Sequence, residues 1–94
     1  MPMTATHHAF DWHDEKSAAC LAIRGFDFIY AARIFLGEVI EREDTRKDYG
    51  ETRIQAVGMI EGCRYMVVYT RRGDVTWIIS ARRMHGKEWK KWQG

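Results

Sequence analysis

Two runs of strand-favouring residues, Tyr65-Met66-Val67-Val68-Tyr69-Thr70 and Val75-Thr76-Trp77-Ile78-Ile79-Ser80, flank the turn signal Arg72-Gly73-Asp74. Branched and aromatic side chains pack well on a pleated surface, and a Gly-Asp step closes two strands tightly, so the segment predicts a β-hairpin. A lone hairpin is marginal in water, which obliges the rest of the chain to supply more strands and a cover. Arg53-Ile54-Gln55-Ala56-Val57-Gly58 alternates with period two and leads into the turn Glu61-Gly62, giving a third strand. Val39 and Ile40 are a candidate start of a fourth, and Phe10-Asp11-Trp12 alternates like a short first strand.

The remaining periodic segments are helical. Asp14-Glu15-Lys16 opens a helix with acids at its positive end, and Gly25 is placed to end it. Asp27 is an N-cap for a second helix through Phe35, with Phe26 before it as a staple and Gly37 as the stop. Their apolar stripes are read as Ala18/Cys20/Ile23 and Phe28/Ala31/Ala32/Phe35. Lys87 to Trp92 reads as a short terminal helix with Trp89 and Trp92 three apart. The expected fold is α+β: a small antiparallel sheet of four to five strands packed with two N-terminal helices and a short C-terminal helix.

Ninety-four residues allow one hydrophobic core, so residues 1–94 are expected to form a single domain, with residues 1–8 as a flexible tail. No apolar run approaches a membrane span, and the start lacks the pattern of a signal peptide, so the expected location is the cytoplasm. Cys20 and Cys63 stand 43 positions apart without neighbouring ligands, and His7, His8 and His13 find no downstream completion of a metal triad. No metal or other cofactor is expected. The net charge is only +2, but residues 1–70 hold 8 Lys/Arg against 11 Asp/Glu, whereas residues 71–94 hold 7 against 2. Such a split suits one surface to a polyanion.

Regular alternation sends Ile78, Ser80 and Arg82 to one face and Trp77, Ile79, Ala81 and Arg83 to the other. One arginine can then meet a ligand while the other anchors the terminal helix or a carboxylate. Arg53 and Tyr69 come from adjacent strands, and a surface of arginine and tyrosine can clamp a phosphate and stack a base without a metal. Lys16, Cys20 and Arg24 follow i, i+4, i+8 spacing, so both cations share one face of the first helix.

With Gly25-Phe26-Asp27-Phe28, Gly50-Glu51-Thr52-Arg53, Val67-Val68-Tyr69-Thr70 and Ile78-Ile79-Ser80-Ala81-Arg82-Arg83 in this order, the chain resembles the BrnT family of ribonuclease toxins from type II toxin–antitoxin systems. The resemblance runs from about Phe10 to Trp92. It implies a RelE-like fold and a metal-independent endoribonuclease that cleaves cellular RNA and inhibits translation. It also implies a cognate BrnA-like antitoxin encoded in the same operon, a toxin–antitoxin hetero-oligomer, and contact with operator DNA only through the antitoxin.

On the matching positions, the expected catalytic residues are Arg82, Arg53, Lys16, Arg83 and Tyr69, with Arg24, Arg72, Lys87 and Lys90 holding the rest of the RNA. The chain departs from the family pattern at Cys20 (usually Asn), Ile23-Arg24 (Lys-His), Trp77 (Arg) and Trp92 (Tyr). Without that histidine and tyrosine, two groups suited to moving protons are gone. The alternative reading is therefore a catalytically weakened relative that binds an antitoxin or RNA.

Overall fold

The computed structural model describes residues 9–93, so the expected tail at residues 1–8 lies outside the described residues. The chain runs β1 (Ala9–Trp12), α1 (Asp14–Arg24), α2 (Phe28–Ala31) continuing as a 3-10 turn (Ala32–Leu36), β2 (Ile40–Glu43), β3 (Ile54–Ile60), β4 (Cys63–Arg72), β5 (Val75–Arg83) and α3 (Gly86–Gln93). The five strands form one sheet in the order β1-β5-β4-β3-β2. The expected α+β fold is present with one correction to the sheet. Four strands are antiparallel to their neighbours, but β1 pairs parallel to β5, Ala9 opposite Val75 through Trp12 opposite Ile78, so the sheet is mixed.

Two-residue turns join the three central strands. Glu61 and Gly62 both adopt positive φ, at 51° and 82°, which matches the twist of a tight hairpin and favours glycine at the second position. α1 starts after His13, carries Asp14 and Glu15 in its first turn, and stops at Gly25 in the left-handed region. Asp27 caps α2 by accepting from the Tyr30 amide at 2.9 Å, as its position predicts. The helix expected through Phe35 tightens into a 3-10 turn after Ala31.

One face of the sheet is covered by α1, α2 and the 3-10 turn, with Phe26, Phe28, Ala31 and Ile34 packed against Ala56, Val67, Tyr69, Ile78 and Ala81. Gly58 makes this contact possible, because a Cβ there would stand 2.8 Å from the Ile34 Cβ. The predicted stripe of α1 is shifted. Ser17 and Cys20 are buried, whereas Ala18 is exposed and Ile23 is 79% exposed. Polar docking decides this orientation: Ser17 Oγ accepts from the Phe28 amide at 3.0 Å, and Cys20 Sγ lies 3.6 Å from the Ala81 carbonyl.

The second face carries a smaller cluster, Val57, Met66 and Val68, against Met84 and Trp92. Arginines fasten α3 there. Arg42 stacks on Trp92 at 4.1 Å and donates to the Lys91 carbonyl at 3.2 Å, and Arg64 stacks on Trp89 at 4.3 Å.

Candidate functional site

The alternation assumed for β5 is interrupted. Val68 pairs with Ser80 and Tyr69 with Ile78, so Ile79 is an extra residue and the strand bulges. Ile78 and Ala81 consequently both enter the helix-covered core, while Ile79 packs on the second face. Beyond the bulge, Arg82 lies opposite Met66 on the second face, and Arg83 lies opposite Tyr65 on the first. The two arginines are divided as expected, although Ile78 does not travel with Ser80 and Arg82.

Arg82 is the one that holds the terminal helix. Its guanidinium forks onto Glu88 of α3, NH1 to Oε1 at 2.7 Å and NH2 to Oε2. This hydrogen-bonded pairing raises the Arg82 pKa and holds the Glu88 carboxyl below the usual carboxylate range, against the opposing effect of burial. Arg83 is exposed, with one guanidinium nitrogen 3.2 Å from Cys63 Sγ.

β1 pairs with β5 only as far as Ile78, so the C-terminal half of β5 pairs with β4 on one side and has no strand on the other. α1 fills that place. Arg24 NH1 donates to the Ala81 carbonyl at 2.8 Å, so this edge is capped by side chains and is not an unpaired strand edge awaiting an addition. A cleft of about 200 Å³ opens between helix and strand, lined in part by Lys16, Cys20, Arg24, Ile79 and Ser80. Burial raises the Cys20 thiol pKa, with Arg24 pulling the other way. A second hollow runs from Arg24 past Gly25 and Tyr65 to Arg83. Lys16, Arg24 and Arg83 therefore line hollows on the helix-covered side of the β5 end, while Arg82 stands at the same strand end on the opposite face, with Lys87 and Lys90 on the helix that follows.

The other predicted residues are elsewhere. Arg53 precedes β3 on the Val57 side, sharing the face of Arg82 at roughly 16 Å between Cα atoms from strand spacing and rise. It stacks on Tyr49 at 4.0 Å and pairs with Glu51 at 3.2 Å. Tyr69 faces the helix-covered core, where its hydroxyl donates to Glu41 at 2.6 Å. Burial first and Glu41 second push its pKa up to about 12. Arg72 stacks on Trp77 at 4.3 Å near the hairpin end, beside the His13 ring. The expected surface combining Arg53, Tyr69 and Arg82 is thus not assembled, because consecutive β4 residues point to opposite faces and Tyr69 is on the wrong one.

Sequence reasoning missed Glu88, Arg46 and Tyr49. Glu88 left one signal, as the single carboxylate from Arg82 to the end of the chain. Arg46 left none; it is fixed by Asp44 across a loop of no periodicity, and its charge reaches Arg82. Among the described residues, no three His, Cys, Asp or Glu side chains come together as metal ligands, and no helix is long and apolar enough to cross a membrane.

Comparison with curated protein sequences returned no match. A family model described as ribonuclease toxin, BrnT, of type II toxin–antitoxin system matches residues 12–88, a span that holds the bulged β5, both arginines and Glu88. The chain therefore belongs to the BrnT family of ribonuclease toxins.

Proposed function

We propose that the protein is a metal-independent endoribonuclease that cuts cellular RNA at the C-terminal half of β5, slows translation, and is neutralised by a cognate BrnA-like antitoxin. The observation that carries this is the mounting of Arg82 and Arg83 on the two faces of the β5 end, with Lys16 and Arg24 lining the hollows beside it, in a chain of a ribonuclease toxin family. Guanidinium groups on a strand are rigidly mounted, and their planar donors match phosphate oxygens. Arg82 takes the scissile phosphate and stabilises the charge that builds on it. Arg53, on the same face, holds a neighbouring phosphate, while Lys16, Arg24 and Arg83 guide the strand around the edge and Lys87 and Lys90 along α3. An acidic antitoxin segment is suited to this surface by charge.

Induced expression is expected to arrest growth, and mapping of RNA 5′ ends is expected to reveal new cuts that the purified protein reproduces in EDTA. Growth without new ends would reject the reading. Since Glu88 already occupies Arg82, a second reading is an RNA- or antitoxin-binding module without cleavage, for which RNA would be retained intact at high protein concentration.

A further inference from the structure

At the hairpin end of β4 and β5, Thr70 pairs with Trp77 and Arg72 with Val75. Tyr69 and Ile78 enter the helix-covered core, so Thr70 and Trp77 turn to the second face, and alternation takes Arg72 there with them. The Arg72 guanidinium carbon lies 4.3 Å from the centre of the Trp77 ring. The His13 ring meets the same indole edge-on, at 5.1 Å and 90°, from the junction of β1 and α1. Trp77 is half-buried between these neighbours, whereas Arg72 and His13 are exposed.

The donors of Arg72 set it apart. On the same face, Arg82 uses its guanidinium on Glu88, Arg53 on Glu51 and Arg42 on the Lys91 carbonyl. Among the described residues, the Arg72 side chain has no carboxylate and no hydrogen-bond partner, only the indole beneath it. A guanidinium has five N–H groups and two flat sides, and here one side is covered while the donors and the other side are open. The indole also limits the orientations the guanidinium can take, so little freedom remains to be lost when a ligand settles on it.

We propose that Arg72 on Trp77 is a stacking subsite for one unpaired nucleobase of the RNA whose phosphate is held at Arg82, an assignment that rests on the RNA reading above. The base lies on the open side of the guanidinium, which is sandwiched between base and indole, and the free N–H groups meet the base edge or the phosphate of the same nucleotide. Trp77 and Arg82 share a face of β5. At about 3.3 Å per residue, with one residue taken up by the bulge, they stand about 13–16 Å apart, so the base belongs a few nucleotides from the scissile phosphate. Beyond His13, Asp14 and Glu15 line a hollow with Lys16. Those carboxylates repel phosphates on that side and leave the path along β5 towards Arg82. His13 and Trp77 are positioning residues, and Arg72 is the group that touches the base. A base already stacked within a duplex cannot reach it, so the subsite selects single strands without reading their sequence.

The test is binding of a single-stranded 2′-fluoro oligoribonucleotide by the full chain. That probe lacks the 2′-hydroxyl through which metal-free cleavage proceeds to a cyclic phosphate, so binding is read apart from cutting. Arg72→Lys keeps the charge and removes the plane, and Trp77→Ala removes the support; each is expected to weaken binding about 5–150-fold. A single abasic residue is then walked along the oligonucleotide. One position is expected at which the parent loses the same factor while Arg72→Lys, having no stack to lose, changes less than about twofold. Thermal melts matched to the parent secure the comparison, and Arg72→Lys, at an exposed position, carries it if Trp77→Ala fails to fold. Parent-like binding by Arg72→Lys would overturn the proposal, leaving Arg72 a charge alone. So would an abasic walk without such a position, or one that costs Arg72→Lys as much as the parent. A parent that shows the stacked position but cuts no ordinary RNA would sink the ribonuclease reading and keep the subsite, whereas cutting without a stacked position would do the reverse.

Discussion

Replacing Asp44 by asparagine removes a charge without changing shape, at a point where the structure fixes the consequences. Its side chain is 1% exposed. Oδ1 accepts from Arg46 Nε at 2.8 Å, Oδ2 accepts from Arg46 NH2 at 2.7 Å and Tyr49 hydroxyl at 3.4 Å, and the Asp44 amide donates to the Arg53 carbonyl at 2.7 Å. Hydrogen bonding from Arg46 outweighs burial and holds the carboxyl at about 2, against 3.8 without these partners. At about 1.36 kcal/mol per decade, that difference stabilises the fold by about 2 kcal/mol at neutral pH. Arg46 is largely exposed, so solvent screening brings the expectation to about 1–2 kcal/mol.

A depressed carboxylate pKa gives stability that is complete above the unfolded value and lost as pH falls through the folded one. The Asp44 contribution should therefore be intact at pH 7, about halved by pH 3 and gone below pH 2. In urea unfolding with a slope of about 1 kcal/mol per molar, Asp44→Asn should lower the midpoint by about 1–2 M at pH 7, with a smaller gap at pH 3. Equal midpoints at pH 7, or a gap that does not shrink at pH 3, would refute the reasoning.

Three other substitutions probe the fold and the division between its faces. Gly58→Ala forces a Cβ to 2.8 Å from Ile34 Cβ and 3.3 Å from the Ile34 carbonyl, and should cost about 1–3 kcal/mol in thermal or urea unfolding. Tyr69→Phe removes the bond to Glu41 on the face opposite Arg82, so it should cost about 1 kcal/mol of stability and leave RNA cleavage within about threefold. Trp92→Ala empties the main contact of α3 and should destabilise by about 3–5 kcal/mol, with hydrogen exchange fastest in residues 86–93.

The hairpins were legible because their signals are local: Gly62 and Gly73 stand where positive φ is needed, and the strands between them alternate or are uniformly β-favouring. The Asp27 cap was legible for the same reason. What the sequence did not disclose depends on distant partners. β1 joins β5 in parallel across more than sixty residues, and no local pattern distinguishes that from an antiparallel edge. The bulge at Ile79 lies in an unbroken apolar run, so it shifts the facing of Ile78 without a marker such as glycine. α1 turned on polar contacts of Ser17 and Arg24, and hydrophobic counting favoured Ile23. The site followed the same rule: Arg82 and Arg83 were identified from an isolated motif, whereas the facing of Tyr69 away from Arg53 required the register of three strands.

The central claim is that Arg82 holds and stabilises the scissile phosphate of RNA. It is tested most directly by incubating 5′-labelled single-stranded RNA in EDTA with the purified parent chain and with Arg82→Lys, after matched thermal melts. Lysine retains a charge for Glu88 but loses the planar fork. The parent is expected to give fragments ending in a cyclic phosphate and Arg82→Lys to cut about 10²–10³-fold more slowly. Equal cutting by a folded Arg82→Lys protein would contradict the claim.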